Sequence, residues 1–158
     1  LIQFLLDQTV VETKATLTTL DKRLSDGSLI GVDDNAICLY TLSGGAVGTM
    51  TASWTDYAAE DNSTVIYGTE GVLHIYTDPA HSLVLEHRGG RAEYFDVDAI
   101  QTNESQTRSG VIDLFVRWVN DPAVEGISGE SVLTAMRAVF ASMESSDAGK
   151  AVRIAAKD

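Results

Sequence analysis

The chain has 158 residues, of which 44% are hydrophobic and 22% charged, and its formal net charge is −12. This composition is typical of one folded globular domain and excludes a disordered or fibrous chain. No apolar run approaches the roughly 20 residues that span a bilayer, which excludes a membrane protein. An acidic surface repels phosphate groups, so nucleic acid and anionic membranes are excluded as partners.

The single cysteine, Cys38, lies in an apolar strand pattern and has no partner for an internal disulfide. The opening LIQFLLD lacks the basic flank and cleavage site of a secretion signal. Both features predict a buried thiol in a cytoplasmic protein. Because Leu1 already lies within a helical apolar pattern, we expect the sequence to be part of a longer chain. Residues 1–158 are predicted to form a single domain.

Alternating polar and apolar side chains, separated by glycine, proline and aspartate, predict seven strands after a helix end at residues 1–6. The predicted strands span residues 11–20, 36–42, 47–55, 64–67, 72–77, 83–87 and 93–97. Turns such as Ser43–Ala46 and Gly68–Gly71 are too short to join parallel strands, so neighbouring strands should be antiparallel. We expect at least one glycine of the Gly68–Gly71 turn to have a positive φ.

The last third of the chain predicts two helices. Gly110 opens the first, which ends before Pro122, and Ser128 is suited to cap the second, which Gly149 closes. The second helix carries an apolar stripe formed by Val132, Leu133, Met136, Val139, Phe140 and Met143. A polar loop at 98–109 and a last strand at 151–155 complete the pattern. Strands followed by helices predict an α+β fold, a largely antiparallel open sheet with helices packed on one face.

No motif for cofactor, metal or nucleophile chemistry is complete. The glycine cluster at 44–48 lacks the G-x-G-x-x-G spacing and leads into a strand, whereas a dinucleotide site needs a helix. His74, His81 and His87 lack the close ligand pairs of a zinc site. Ser128 fits a helix cap better than a nucleophile elbow. We therefore predict no catalytic, cofactor-binding or metal-binding residue in this chain.

Two polar clusters each allow two interpretations. Asp33 and Asp34 form a carboxylate pair, but a loop between strands more often uses aspartate to build turns. Trp54, Asp56 and Tyr57 follow the third predicted strand and place polar groups beside aromatic surface, as a sugar site requires. The alternative is that Trp54 is a core residue. We predict that Trp54, Asp56 and Tyr57 bind substrate.

Five segments together resemble the C-terminal domain of the Gfo/Idh/MocA oxidoreductases, the relatives of glucose–fructose oxidoreductase and inositol dehydrogenase. They are LIQFLLDQTVVE, DDNAICLYTLSGGAVGTMTASWT, IYGTEGVLHIY, GVIDLFVRWV and SGESVLTAMRAVFASMESSDAGKAVRI. No single segment is diagnostic. Their order and spacing over nearly all of residues 1–158 carry the resemblance.

The resemblance implies a parent chain with an N-terminal Rossmann domain that binds NAD or NADP. The second domain would enclose a sugar, polyol or cyclitol. The catalytic lysine of the family lies in the first domain, and its Asp-x-x-x-His pair would end immediately before Leu1. Gln3 stands where the family often has aspartate, which leaves the substrate class open. This chain would then supply a substrate wall and an oligomer interface, and by itself would be inactive and bind no cofactor.

Two functional hypotheses follow. The first is the C-terminal domain of an NAD(P)-dependent oxidoreductase, and the alternative is a stand-alone ligand-binding or dimerisation module without redox activity. We predict a two-fold symmetric homodimer, or a tetramer containing it, formed through the helix-free face of the sheet. The strand at 36–42 is apolar on both sides, and the resemblance implies pairing through this sheet. The alternative is a monomer whose threonines are ordinary solvated strand residues.

Overall fold

A computed structural model describes residues 1–97, 111–121, 123 and 129–155. In chain order the elements are α1 (Ile2–Leu6), β1 (Val10–Thr18), β2 (Asn35–Leu42), β3 (Val47–Ser53), β4 (Thr64–Tyr67), β5 (Gly71–Ile75), β6 (Leu83–His87), β7 (Ala92–Phe95), α2 (Val111–Asn120), α3 (Gly129–Ala148) and β8 (Val152–Arg153). The predicted loop at 98–109, Gly110, Pro122 and Ser128 lie outside the described residues. No helix in the described ranges has the length and hydrophobicity of a membrane span.

The predicted α+β fold and its antiparallel strands are confirmed, with one difference in the sheets. The strands form two four-stranded antiparallel sheets, in the orders β3-β2-β1-β8 and β4-β5-β6-β7, rather than one. Strand β3 ends two residues before the predicted boundary because the Ser53 hydroxyl accepts the backbone N–H of Thr55 at 3.0 Å. Such a local turn competes with the strand ladder. The chain divides into two compact units. The first consists of Leu1–Tyr57 together with Trp118–Asp158, and the second consists of Ala58–Arg117.

The first unit is built on the sheet of β1, β2, β3 and β8. Its register places Cys38 between Ala15 of β1 and Met50 of β3. Ala15 and Cys38 are buried on the side that α3 covers, which confirms the buried thiol. The opposite side carries Ile37 and Leu39, both exposed, as the alternation along β2 predicts.

Helix α3 packs on β1 through small side chains. Among the residues of the helix whose side chains the structure describes, the buried ones are Ala138, Ala141, Ser142 and Ser145, at the i, i+3, i+4, i+7 spacing of one helix face. Ser142 Oγ lies 3.0 Å from Oγ1 of Thr13, a buried residue of β1. The large apolar residues of the predicted stripe therefore lie on a different face of α3 from the face that packs on β1.

Ser145 and Ser146 of α3 cover an edge of the sheet. Strand β8 pairs with β1 only at Glu12 and Thr13, so the later N–H groups on that edge of β1 need other partners. The Ser145 hydroxyl accepts the N–H of Ala15 at 2.9 Å, and the Ser146 hydroxyl accepts that of Leu17 at 2.8 Å. The helix thus completes the sheet where the short strand ends. Gly149 then closes α3 with a φ of 63°, as predicted.

The second unit is a four-stranded meander, and its first turn corrects one expectation. The Gly68 N–H donates to the Gly71 carbonyl at 2.8 Å, and β4 pairs with β5 in antiparallel register, as predicted. The expected positive φ is wrong, because neither Gly68 nor Gly71 has one. Gly71 is required for space instead, since a Cβ there would lie 2.3 Å from the Glu86 carbonyl oxygen.

Candidate functional site

The three residues predicted to bind substrate follow β3 directly and have different surroundings. Trp54 is 65% exposed, so it is not a core side chain, and it lies at the wall of a cavity. Asp56 is exposed. Tyr57 is 72% exposed and is held by polar partners from an earlier loop. The structure thus places Trp54 and Tyr57 in two neighbouring environments, one apolar and one charged.

The cavity beside Trp54 has a volume of about 550 Å³ and lies within the first unit. Its apolar lining residues are Leu17, Val32, Ala36, Ala52, Val139 and Met143. Asp33, Asp34, Asn35 and Ser53 contribute the polar part of the lining. The lining of this cavity is therefore mainly apolar, with a polar part on one loop and at the end of β3.

Asp34 anchors the loop between β1 and β2. The residue is only 3% exposed, and its carboxylate accepts the backbone N–H groups of Leu20, Asp21 and Lys22 at 2.8, 2.9 and 2.9 Å. Asn35 Nδ2 donates a fourth hydrogen bond at 2.8 Å. Burial by itself would raise the pKa of Asp34, but these four donors outweigh burial and hold the pKa well below its usual range. The turn-building interpretation of this aspartate is confirmed.

Residues 34 and 35 also hold the segment that follows β3. The Asp34 carbonyl accepts the N–H of Trp54 at 2.7 Å. The Asn35 side chain accepts a hydrogen bond from Ser53 Oγ at 2.7 Å and donates one to Thr55 Oγ1 at 2.9 Å. A buried aspartate and its neighbour therefore tie the loop after β1 to the segment that carries Trp54 and Tyr57.

Tyr57 lies between a carboxylate and an ammonium group. Its hydroxyl donates to Asp21 Oδ2 at 2.5 Å and accepts from Lys22 Nζ at 3.1 Å. Lys22 Nζ also lies 4.6 Å from the centroid of the Tyr57 ring, a cation–π contact. This cluster of Asp21, Lys22 and Tyr57 combines a donor, an acceptor and an aromatic face, which are the groups that bind hydroxylated ligands.

Sequence reasoning missed Asp21 and Lys22. They are separated from Tyr57 by 36 and 35 residues, and they belong to a loop whose composition indicates only turns. A lysine is rare in this chain, which has 11 basic residues against 23 acidic ones, but rarity alone does not indicate a partner. Only the fold brings the loop and Tyr57 together.

The histidines and the glycine cluster have structural surroundings. In the described part of the chain, no three histidine, cysteine or acidic side chains lie close enough to hold a metal ion. Each histidine lies beside one carboxylate, in the pairs His74–Glu86 at 3.6 Å, His81–Asp96 at 2.9 Å and His87–Glu93 at 2.5 Å. The glycine cluster at 44–48 forms the β2–β3 hairpin, as predicted, with Gly45 at a φ of 88°.

A family model and several solved structures match this chain. Residues 1–74 match the model of the GFO/IDH/MocA C-terminal domain. A comparison with curated protein sequences finds no match. Three of the matching structures are oxidoreductases that resemble the chain over nearly all of its length.

An oxidoreductase from Agrobacterium radiobacter, solved with NAD+, L-tartaric acid and magnesium, is 19% identical with a TM-score of 0.72, over 96% of this chain and 45% of that one. An NAD binding oxidoreductase from Klebsiella pneumoniae is 19% identical with a TM-score of 0.71, and the match covers 99% of this chain and 48% of that one. Levoglucosan dehydrogenase, solved with NADH and levoglucosan, is 18% identical with a TM-score of 0.70, and the match covers 94% of this chain and 46% of that one.

The chain spans less than half of the length of these three structures. At such low identity the likeness shows the fold, whereas the family model connects residues 1–74 to a particular domain. The resemblance predicted from the sequence is thus confirmed: residues 1–74 are similar to the C-terminal domain of the Gfo/Idh/MocA oxidoreductases, and the fold of the chain is similar to that of solved oxidoreductases.

Proposed function

We propose that this chain is the C-terminal domain of an NAD(P)-dependent oxidoreductase acting on a sugar, polyol or cyclitol. The parent would transfer a hydride between the nicotinamide and the carbon that carries a substrate hydroxyl. The supporting observation is the fold shared, over 94% or more of this chain, with oxidoreductases solved with NAD+ or NADH. The family match over residues 1–74 supports the same assignment.

The cofactor would be held outside this chain. A dinucleotide needs a glycine-rich turn that opens into a helix, so that backbone N–H groups meet the pyrophosphate. The glycine cluster at 44–48 is instead a hairpin between β2 and β3 and offers no such helix. In this proposal the described residues make no contact with the cofactor. Their role in the proposed reaction is to bind and orient the substrate and to exclude water.

Trp54, Asp56 and Tyr57 are the residues we propose for the substrate wall. The hydrogen bonds of Tyr57 to Asp21 and Lys22 support this role, because they fix the phenol ring before any ligand arrives. Lys22 has further N–H groups to donate, and Asp21 has a second oxygen to accept. A neutral polyol could use both groups.

The first prediction concerns cofactor affinity. Calorimetric titration of the 158-residue chain with NAD+ and NADP+ is expected to show no saturable binding tighter than about 100 µM, roughly 5.5 kcal/mol. Binding tighter than this would contradict the assignment of the cofactor to another part of the parent. The coding sequence around this chain should contain G-x-G-x-x-G and Asp-x-x-x-His. Their absence would favour the stand-alone module instead.

The second prediction concerns Tyr57. In the parent enzyme, Tyr57→Ala is expected to raise the KM for the polyol by about 3- to 10-fold, because one aromatic contact contributes roughly 0.5–1.5 kcal/mol. The melting temperature should fall by less than about 4 °C, since the side chain is largely exposed. Tyr67→Ala is the matched control, because Tyr67 is an exposed tyrosine of the second unit. An unchanged KM with a large loss of melting temperature would show that Tyr57 is purely structural.

We also propose a cytoplasmic homodimer, or a tetramer containing it, formed through the helix-free face of the first sheet. Cys38 is free and buried, which suits a reducing compartment. On the helix-free face, Ile37 lies between Thr16 and Thr51, and Leu39 lies between Lys14 and Thr49. An exposed apolar pair at the centre of a sheet supports a partner on that face.

A further inference from the structure

Asp34 anchors the backbone of the two residues whose side chains contact Tyr57. Oδ2 of Asp34 accepts the N–H groups of Asp21 and Lys22, both at 2.9 Å. The Tyr57 hydroxyl donates to the side chain of Asp21 and accepts from that of Lys22. In each of these residues one Cα joins the anchored N–H to the side chain, so the Asp34 carboxylate determines where both side chains begin.

The main chain of Asp34 holds the segment that carries Tyr57. The Asp34 carbonyl accepts the N–H of Trp54 at 2.7 Å, three residues before Tyr57. One buried residue therefore holds both the loop that supplies the partners of the phenol and the start of the segment that supplies the phenol itself. Because the contact with Trp54 uses a backbone atom, a change of the Asp34 side chain acts on the loop and leaves this contact in place.

The contacts within the cluster are weaker than those that hold it from below. Asp21 and Tyr57 are exposed and Lys22 is partly exposed, and charged contacts at such positions are weak because water competes for them. Hydrogen bonds from backbone N–H groups to a buried carboxylate are charge-assisted and strong. The order of the Asp21, Lys22 and Tyr57 side chains therefore depends on Asp34 more than on their contacts with one another.

The Asp34 carboxylate is not itself suited to bind a ligand. A carboxylate offers about four acceptor positions. The backbone N–H groups of residues 20–22 and the Asn35 amide supply four donors. The residue is also only 3% exposed. Its carboxylate therefore holds other residues in place and has no acceptor position left for a substrate.

We propose that Asp34 is a positioning residue of the substrate wall: its carboxylate holds Asp21 and Lys22 so that their side chains fix the Tyr57 hydroxyl for the substrate. The inference rests on the proposed function, because it takes Tyr57 as a substrate contact, and it adds a residue that acts through Tyr57 without touching the substrate. Loss of the carboxylate loosens the phenol and weakens substrate binding, while the reacting groups of the parent stay in place. The effect therefore belongs to KM and not to kcat.

A double-mutant cycle in the parent enzyme tests the proposal, with whichever of D-glucose, myo-inositol and levoglucosan the parent oxidises fastest. Asp34→Asn is expected to raise KM by about 3- to 10-fold, as Tyr57→Ala does, and to change kcat by less than about 2-fold. In the Tyr57→Ala background, Asp34→Asn should raise KM by less than about 2-fold, because the group that it positions is gone. A residue that only stabilises the fold would have equal effects in both backgrounds.

Two further variants separate positioning from a general loss of stability. Asp34→Glu keeps the carboxylate and displaces it by one methylene group, so it gives the same test if Asp34→Asn folds poorly, and the same dependence on Tyr57 is expected. Ser145→Ala is the control, because Ser145 is buried between α3 and β1, where its hydroxyl accepts the N–H of Ala15 at 2.9 Å. This variant should lower the melting temperature and leave KM unchanged. An equal rise of KM in Ser145→Ala would show that general loosening, and not positioning, is the cause.

Tyrosine spectroscopy tests the positioning step without any substrate. In the 158-residue chain labelled with 13C at tyrosine Cζ, the Tyr57 signal is identified among the five tyrosines by its loss in Tyr57→Phe. Asp34→Asn is expected to shift this signal in the same direction as Asp21→Asn, because Cζ bears the hydroxyl that both changes affect. Ser145→Ala should leave the signal in place. An unchanged Tyr57 signal in folded Asp34→Asn would overturn the proposal.

The proposed function and the positioning role fail in different ways. If Tyr57→Ala leaves KM unchanged, or the parent oxidises none of the three substrates, the substrate wall is wrong and the positioning role is lost with it. If Tyr57→Ala raises KM while Asp34→Asn and Asp34→Glu do not, the wall stands and the role of Asp34 is wrong. If the Asp34 variants raise KM equally with and without Tyr57, Asp34 does not act through Tyr57 and the proposal is also wrong.

Discussion

Asp34→Asn is expected to lower the melting temperature of the chain by about 5–10 °C at pH 7. The Asp34 carboxylate has two oxygens that together accept three backbone N–H groups and the Asn35 amide. An asparagine keeps one acceptor oxygen and turns an NH2 group towards donors, so buried N–H groups lose their partners. Thermal unfolding followed by circular dichroism measures the effect. Amide hydrogen exchange at residues 20–22 should also become faster, because these are the donors.

The same variant has a distinct pH dependence. The pKa of Asp34 in the folded chain is lowered, so its contribution to stability is complete above the unfolded pKa of about 3.9 and is lost as the pH falls towards the folded value. The wild-type melting temperature should therefore fall more steeply than that of Asp34→Asn between about pH 4 and pH 2. The two curves are expected to converge at the acid end.

Asp33→Asn is the matched control for Asp34→Asn. Asp33 precedes Asp34 in the same loop and is exposed, so its loss should change the melting temperature by no more than about 2 °C. If the two variants have equal melting temperatures, Asp34 does not anchor the loop. A gap between wild type and Asp34→Asn that stays constant from pH 7 to pH 2 would show that ionisation of Asp34 is not the cause.

Ile37→Lys is expected to raise the dissociation constant of the sheet-face dimer by at least about 100-fold, roughly 2.7 kcal/mol. Ile37 is 60% exposed and occupies the middle strand of the first sheet, between Thr16 and Thr51. A lysine there would carry a charge into the interface on both copies, without an acidic partner across the strands. Sedimentation equilibrium at several concentrations measures the change.

Two variants serve as controls for Ile37→Lys. Val47→Lys tests an exposed apolar residue of the edge strand β3 and should have a smaller effect, because an interface is most sensitive near its centre. Tyr67→Lys should have no effect. If the wild type is a monomer at all concentrations, the threonines around Ile37 are ordinary solvated strand residues and the dimer proposal is wrong.

Local sequence patterns predicted the strands and their turns well. Alternation along β2 predicted that Cys38 and Ile37 lie on opposite sides of the sheet, and the structure has Cys38 buried and Ile37 exposed. The glycine pair 44–45 predicted the hairpin, and Gly149 predicted the end of α3. These features depend on the backbone preferences of adjacent residues, which a single sequence contains.

The same patterns were less informative about α3. The large apolar residues of α3, from Val132 to Met143, form the stripe that the sequence shows, but the helix packs on β1 through Ala138, Ala141, Ser142 and Ser145. Hydrogen bonds from β1 to Ser145 and Ser146 select this face, because the strand edge has N–H groups to satisfy. A stripe of hydrophobic residues therefore indicates that a face will be covered, and does not indicate which neighbour covers it.

The sequence by itself determined the α+β class, the antiparallel order of neighbouring strands and the resemblance to a family, because these depend on local periodicity, turn length and motif order. Only the tertiary structure decided that the strands form two sheets, that Asp34 is a buried anchor, and that Tyr57 contacts Asp21 and Lys22. The contacts of Asp34 with Lys22 and of Tyr57 with Asp21 join residues that lie 12 and 36 positions apart, and the pairing of β1 with β8 joins Glu12 to Arg153. Partners at such separations are selected by the packing of the whole unit, which no local pattern encodes.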